Sequence, residues 1–251
     1  MKRLIGTALA ILFVAGPTTL ARADDKDPNA ILDKAIQAVG GEEKLKKAEA
    51  ISWKTKGTIT FGGNENDIKT HVIAKGLNHW RQESEGEFNG ETRKFYFVLS
   101  GDKGWRKFGD EPMELDEQAL ANQKRTTYLQ VVPVTLVALK GKDFKLEAAG
   151  EENVDGKPAV GIKVTGPDQK DFTLYFDKDS GLPVKLVARV AGFQGNEFTQ
   201  ETTFKDYKEF DGIKKATKVE SKRDGEAFNK AEITEFKVLE QVDPKTFSEP
   251  S

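Results

Sequence analysis

The chain has 251 residues and no cysteine, so disulfides, thiolate nucleophiles and zinc-thiolate sites are all excluded. Its formal net charge of −2 leaves no basic excess for a nucleic-acid partner. With 32% charged and 37% hydrophobic residues arranged in regular patterns, the composition fits a sheet with one wet face and excludes a disordered chain.

Lys2 and Arg3, an apolar run over residues 4–15 and the small-residue stretch Ala21-Arg22-Ala23 have the three parts of a secretory leader. Gly16-Pro17 interrupts the apolar run well short of the ~20 residues a membrane span needs. Cleavage after Ala23 is predicted, leaving residues 24–251 as a single exported domain, periplasmic or secreted. That cut removes Lys2, Arg3 and Arg22 and no acid, so the remaining domain is more acidic than the whole chain.

Asp27-Pro28 reads as a helix start, a capping carboxylate followed by proline at the first helical position. Ile31, Leu32, Ala35, Ile36 and Val39 then form one apolar stripe, and Gly40-Gly41 stops it. Residues 42–49 extend this with a short second helical turn. From Ile51 the period becomes two. Ile51, Trp53, Thr55, Gly57, Ile59 and Phe61 share one side of a strand, and Ser52, Lys54, Lys56, Thr58 and Thr60 the other. Strands are predicted at 68–75, 78–84, 93–99 and 104–108, separated by Gly-rich turns, as an antiparallel meander.

Between Met113 and Lys140 the alternation stops, and one or two helices are predicted, divided at Pro133. The piece over residues 131–139 is almost wholly apolar, which marks a buried segment or a movable cover over something greasy. Strand signals resume at 144–154, 157–165, 172–177, 183–190, 198–207, 213–222 and 230–239. Turn dipeptides such as Asp155-Gly156, Asp211-Gly212 and Asp224-Gly225 separate them. A dozen such strands predict a mainly β fold, a strongly curved antiparallel sheet or an unclosed barrel.

Catalytic signatures are missing. The two histidines, His71 and His79, fall on the strand side that also carries Lys69, Lys75 and Arg81, which argues for a solvated face and against a metal site. There is no Gly-x-Ser-x-Gly elbow, no phosphate loop, and no carboxylate pair in an apolar setting. No enzyme chemistry and no cofactor are predicted. The aromatics Trp53, Trp80, Phe95, Phe97 and Trp105 cluster in the first half. Facing one cavity, they would make a lining suited to acyl chains, with Val132, Leu136 and Leu139 as its lid. The competing expectation is that they simply form the core.

Several stretches resemble the LolA-like superfamily of outer-membrane lipoprotein-sorting proteins. They are the opening helix with its stripe Ile31, Leu32, Ala35, Ile36 and Val39 and the stop at Gly40-Gly41, the turn Asp155-Gly156-Lys157-Pro158-Ala159, and Leu174-Tyr175-Phe176-Asp177 followed by Ser180-Gly181-Leu182-Pro183-Val184. Tyr207, Asp211-Gly212-Ile213-Lys214, Asp243-Pro244, Phe247 and Pro250 add to the likeness. The resemblance implies an unclosed β-barrel whose concave side is covered by helices. It also implies a non-enzymatic, monomeric binding protein for an acyl-bearing lipid or a lipid-modified protein, with envelope proteins as further partners. The alternative is an envelope scaffold or interaction module that keeps the fold, has a packed core and takes no ligand.

Overall fold

The computed structural model describes residues 26–192 and 195–251; the predicted leader, residues 1–23, lies outside the described residues. Helix α1 (Pro28–Val39) starts where the Asp27 carboxylate accepts from the Asn29 amide at 2.9 Å, and its apolar stripe is fully buried. A Cβ on Gly40 would stand 2.7 Å from the Gly212 carbonyl oxygen, so this residue must be glycine for the helix end to touch the sheet. Helix α2 (Glu42–Lys47) is a single short segment.

Six strands follow: β1 (Ala50–Phe61), β2 (Asn64–Lys75), β3 (His79–Phe88), β4 (Glu91–Ser100), β5 (Lys103–Lys107) and β6 (Pro112–Glu114). Helix α3 (Glu117–Thr135) and a 3-10 turn (Val137–Lys140) lead to seven more. These are β7 (Lys145–Val154), β8 (Lys157–Thr165), β9 (Asp171–Asp177), β10 (Pro183–Ala191), β11 (Glu197–Phe210), β12 (Ile213–Arg223) and β13 (Glu226–Leu239). A closing 3-10 turn spans Pro244–Phe247.

All thirteen strands form one antiparallel sheet in the order β6-β5-β4-β3-β2-β1-β13-β12-β11-β10-β9-β8-β7. The chain therefore starts in the middle at β1 and meanders to one edge. It then crosses on α3 to the opposite edge and meanders back until β13 pairs with β1. Edges β6 and β7 do not pair with each other, and the barrel stays unclosed. The chain enters α3 from one edge strand and leaves it for the other.

Met113 lies in the edge strand β6, where a helix was expected. Nor does Pro133 divide the helix: α3 is capped by Asp116, whose carboxylate accepts from the Ala119 amide at 2.8 Å, and runs through Pro133 to Thr135. A proline two residues from the end removes one hydrogen bond from the last turn, which the fully buried surroundings outweigh. The break falls at Leu136, buried and held at φ +54°, a left-handed conformation unusual for a branched side chain.

Candidate functional site

Residues paired across an antiparallel ladder point to the same side of the sheet, so the register sorts every strand position into two faces. One row runs Val238-Ile51-Ala74-Trp80-Leu99 and belongs to the same buried cluster as α1 and α3, which identifies this as the inner face. The next row is Phe236-Trp53-Val72-Gln82-Phe97. Beyond it come Ile233-Thr55-Thr70-Ser84-Phe95 and then Ala231-Gly57-Ile68-Gly86. The inner face thus divides into a half filled by the helices and a half that runs on past them.

Trp53 and Trp80 stand in the filled half, 5% and 0% exposed, with their rings edge-to-face at 5.5 Å. Val132, Leu136 and Leu139 are equally buried in the same packed cluster. Side chains of the protein itself fill the space between these lid residues and the tryptophans. Phe95 and Phe97 lie on the inner face but stand half-buried in a different neighbourhood. Trp105 is separated from them all: it pairs with Val98, whose neighbours in the row are Arg81, Ile73 and Ser52, so it points to the outer face. The run Gly104-Trp105-Arg106 puts Gly104 and Arg106 inward, and the odd position of the tryptophan faces out.

The helical cover is fastened at two places. Midway along α3, buried Arg125 donates from Nε to the Arg189 carbonyl at 2.8 Å and from Nη2 to the Asp171 carbonyl at 2.9 Å. Its Nη1 reaches Tyr128 Oη at 2.5 Å and the Asp168 carboxylate at 2.9 Å. Burial and the neighbouring Asp168 carboxylate push the Tyr128 phenol well above its usual range, so it stays a neutral hydroxyl. In the 3-10 turn after α3, Lys140 joins Asp33 of α1 and Glu42 of α2, both at 2.8 Å. The Lys140 and Lys46 ammonium groups hold the Glu42 carboxyl down at about 2.

Past the helices, the inner face of β1–β5 carries a ladder of phenylalanines. Phe61 meets Phe88 at 6.2 Å, Phe88 meets Phe95 at 6.3 Å, Phe95 meets Phe97 at 6.3 Å, and Phe108 packs on both Phe95 and Phe97 at 6.0 and 5.4 Å. Phe61 and Phe108 are 61% and 46% exposed. The strand floor between them is shielded, with Ile68, Ser84 and Asn66 buried, and Thr70 and Ser84 hydroxyls bonded at 2.9 Å. On the far flank Arg223 stacks on Phe228 at 3.5 Å, lies 5.4 Å from Phe198 and donates to Gln200 at 3.1 Å. Burial lowers its guanidinium to about 10.

The boundary between the two halves holds Lys215 on β12, 8% exposed, with its ammonium 5.6 Å from the Trp53 ring. Burial alone pushes this amine down to about 8. Among the described residues two buried donors, Trp80 Nε1 on the inner face and Gln123 Nε2 on α3, meet no acceptor.

The outer face is a different surface. Its lysines and acids alternate and pair, as in Lys54–Glu235 and Lys56–Glu232, both at 3.2 Å, and Lys94–Glu85 at 3.4 Å. His71 and His79 lie here, His71 bonded to Ser52 Oγ at 2.9 Å and lowered mainly by burial. His79 packs on Phe247 of the closing turn at 5.2 Å. Among the described residues no cluster of three metal-ligating side chains occurs. Two depressions open on this outer side. One of about 650 Å³ is lined by alternating charges such as Lys69, Glu85, Lys218 and Glu232, and one of about 490 Å³ by His71, Arg81, Glu83 and the C-terminal residues.

Sequence reasoning missed Lys215 and Arg125. Both left a signal: Lys215 occupies an inward position in the alternation Ile213, Lys215, Thr217, Val219, and Arg125 sits on the buried side of α3 with Tyr128 and Val132. A charged residue at a position the period assigns to the dry side is the pattern to look for.

No family model matches the sequence, and no curated protein matches it. Solved structures do match. A LolA superfamily protein from Nitrosomonas europaea aligns with a TM-score of 0.57 at 13% identity, over 88% of this chain and 97% of the other. A DUF1329 family protein from Desulfovibrio piger gives 0.55 at 14% identity, over 88% and 98%. A domain of the outer membrane lipoprotein-sorting type from Vibrio parahaemolyticus gives 0.53 at 8% identity, over 86% and 97%. The shared feature at these identities is the fold, a curved unclosed sheet with helices on its inner side.

Proposed function

We propose that this chain, which has the fold of LolA superfamily proteins, is an exported, non-enzymatic binding protein for an acyl-bearing lipid or a lipid-modified protein. The observation that carries this reading is the phenylalanine ladder Phe61-Phe88-Phe95-Phe97-Phe108, which continues the inner face beyond the helices and leaves large apolar side chains in water. A contiguous aromatic strip of this kind marks an interaction surface. At ~25 cal/mol per Å², covering it with one hydrocarbon chain supplies useful affinity. The acyl chain lies on the open half of the inner face, with Phe95 and Phe97 as its lining, and Trp53, Trp80 and the lid residues form the packed wall at its closed end.

A second reading has its own observation. The packed half beneath the cover suits a scaffold that takes no ligand and works through its charged outer face. Native mass spectrometry of the mature protein purified from an envelope fraction, with lipid extraction, separates the two. Co-purified acyl lipid near unit stoichiometry, lost in a Phe95→Ser, Phe97→Ser double variant, supports the binding protein. A ligand-free mass, together with no uptake of a fluorescent fatty acid, moves the assignment to the scaffold.

A further inference from the structure

The two faces of the sheet differ in charge as well as polarity. Along β1, β2 and β3, β11 as far as Phe204, β12, and β13 from Asn229, the inward positions contain no aspartate or glutamate. The acids of these strands lie outward, where lysines meet them. The inward positions do hold cations, and Lys215 is the one most deeply buried.

Its surroundings do not satisfy it. Among the described residues no carboxylate pairs with Lys215 and no hydrogen bond reaches its ammonium; its contact is the face of Trp53. The residue directly across the ladder is Lys208, a second cation. Like charges opposite one another in a sheet repel, and Asp206, which feels the charge of Lys208, is already paired with Lys218. A cation–π contact offsets only part of what burying an ammonium costs. The Trp53 ring beneath it touches Trp80, whose indole N–H has no acceptor, and Gln123 of α3 holds another idle donor. The closed end of the inner face therefore holds a buried ammonium without a counter-charge beside a buried indole N–H without an acceptor.

We propose that Lys215 anchors the anionic head group, a carboxylate or a phosphate, of an acyl-chain amphiphile whose tail lies on the open half of the inner face. This rests on the acyl-binding reading above and adds the head-group class to it. The anion supplies the missing counter-charge to Lys215. The tail leaves the buried wall at Trp53 and lies on the exposed phenylalanine ladder, Phe97, Phe95, Phe88 and Phe61.

Isothermal titration of the mature protein with four probes tests this: laurate, dodecyl phosphate, dodecyl maltoside and inorganic phosphate, each against wild type, Lys215→Met and Lys215→Arg. The expected result is at least tenfold tighter binding of the two anionic amphiphiles than of the maltoside. Lys215→Met should abolish that preference without changing the maltoside affinity, and Lys215→Arg should keep it. Equal binding of charged and neutral amphiphiles, or a preference that survives Lys215→Met, overturns the anchor and leaves acyl binding standing. Inorganic phosphate binding as tightly as dodecyl phosphate assigns Lys215 to a free anion and overturns the head-group role. No binding of any amphiphile overturns the acyl reading itself and this proposal with it.

Discussion

The two halves of the inner face use similar side chains for opposite ends. Under the helices, Trp80, Leu99, Ile162, Leu174 and Phe172 are buried to within 2% and meet α1 and α3 in one continuous cluster. Past the helices, Phe61, Phe88, Phe95, Phe97 and Phe108 touch mainly each other and water. Aromatic content alone does not separate a core from a binding surface; what separates them is whether another element of the chain lies on top. The covered half should carry stability and the open half affinity, and that division can be broken experimentally.

The largest effect is expected at Arg125. Three of its four contacts tie α3 to β9, to β10 and to the Asp168 turn, and removing the buried guanidinium takes the cationic partner from Asp168 and a donor from the Asp171 and Arg189 carbonyls. Arg125→Met should cost about 3–5 kcal/mol, a drop on the order of 10 °C in the thermal midpoint for a chain of this size. A shift under 2 °C would mean that α3 is not held by this network and is free to lift.

Next comes a matched pair. Leu136→Ala should cost about 2–4 kcal/mol, because a fully buried leucine leaves a cavity. Phe108→Ala, in a residue nearly half exposed, should cost under about 1 kcal/mol despite its larger side chain. Urea titration of both variants checks the contrast. Equal losses would show that the phenylalanine ladder is core after all.

Much of this division was legible before the structure. The period of two fixes that Trp53, Gly57 and Ile59 share a side, and the turn dipeptides locate the hairpins. The number of short strands left a curved sheet and an unclosed barrel both open, and it was the resemblance to LolA-like proteins that implied the unclosed barrel under helices, the topology found. What alternation cannot give is how far along a strand the cover extends, because that depends on where α3 lands after crossing from β6 to β7. Trp53 and Phe97 are alike in pattern and differ only in lying under or beyond it. Trp105 shows the other weakness: in a five-residue strand flanked by glycine and basic residues there are too few apolar positions to set the phase, and the ladder to β4 decides it. Pro133 reads as a break by propensity, and burial of the last turn overrides it.

Lys215 crosses the division, being a charge placed where the core begins. Its folded value of about 8 lies below the ordinary lysine value of 10.5, so the unfolded chain holds more protons between those limits and stability rises with pH through that window. Below pH 8 the buried ammonium costs about 3 kcal/mol. Lys215→Met should therefore be more stable than wild type at pH 7, and the gain should shrink as pH climbs from 8 to 10.5. Thermal melts of both proteins across that range measure it. A variant that is less stable at pH 7 would mean the cation is compensated in the folded protein, which removes the reason for a ligand anion.

The smallest effect is expected at Glu42, which fastens the same cover as Arg125 through an exposed contact. Lys140 bridges Glu42 and Asp33, tying the end of the α3 segment to α1 and α2. The depressed Glu42 carboxyl, held mainly by Lys140 and then by Lys46, gives a contribution present above its ordinary 4.5 and lost as pH falls through about 2. Solvent screens this cluster, so Glu42→Gln should change the neutral-pH melt far less than Arg125→Met does, and the remaining difference should vanish in acid. Carbon-detected NMR titration of the Glu42 carboxyl checks its ionisation directly. If instead Glu42→Gln destabilises the protein as much as Arg125→Met, the two fastenings of the cover are equally critical, and solvent exposure does not determine how strongly a contact holds the cover in place.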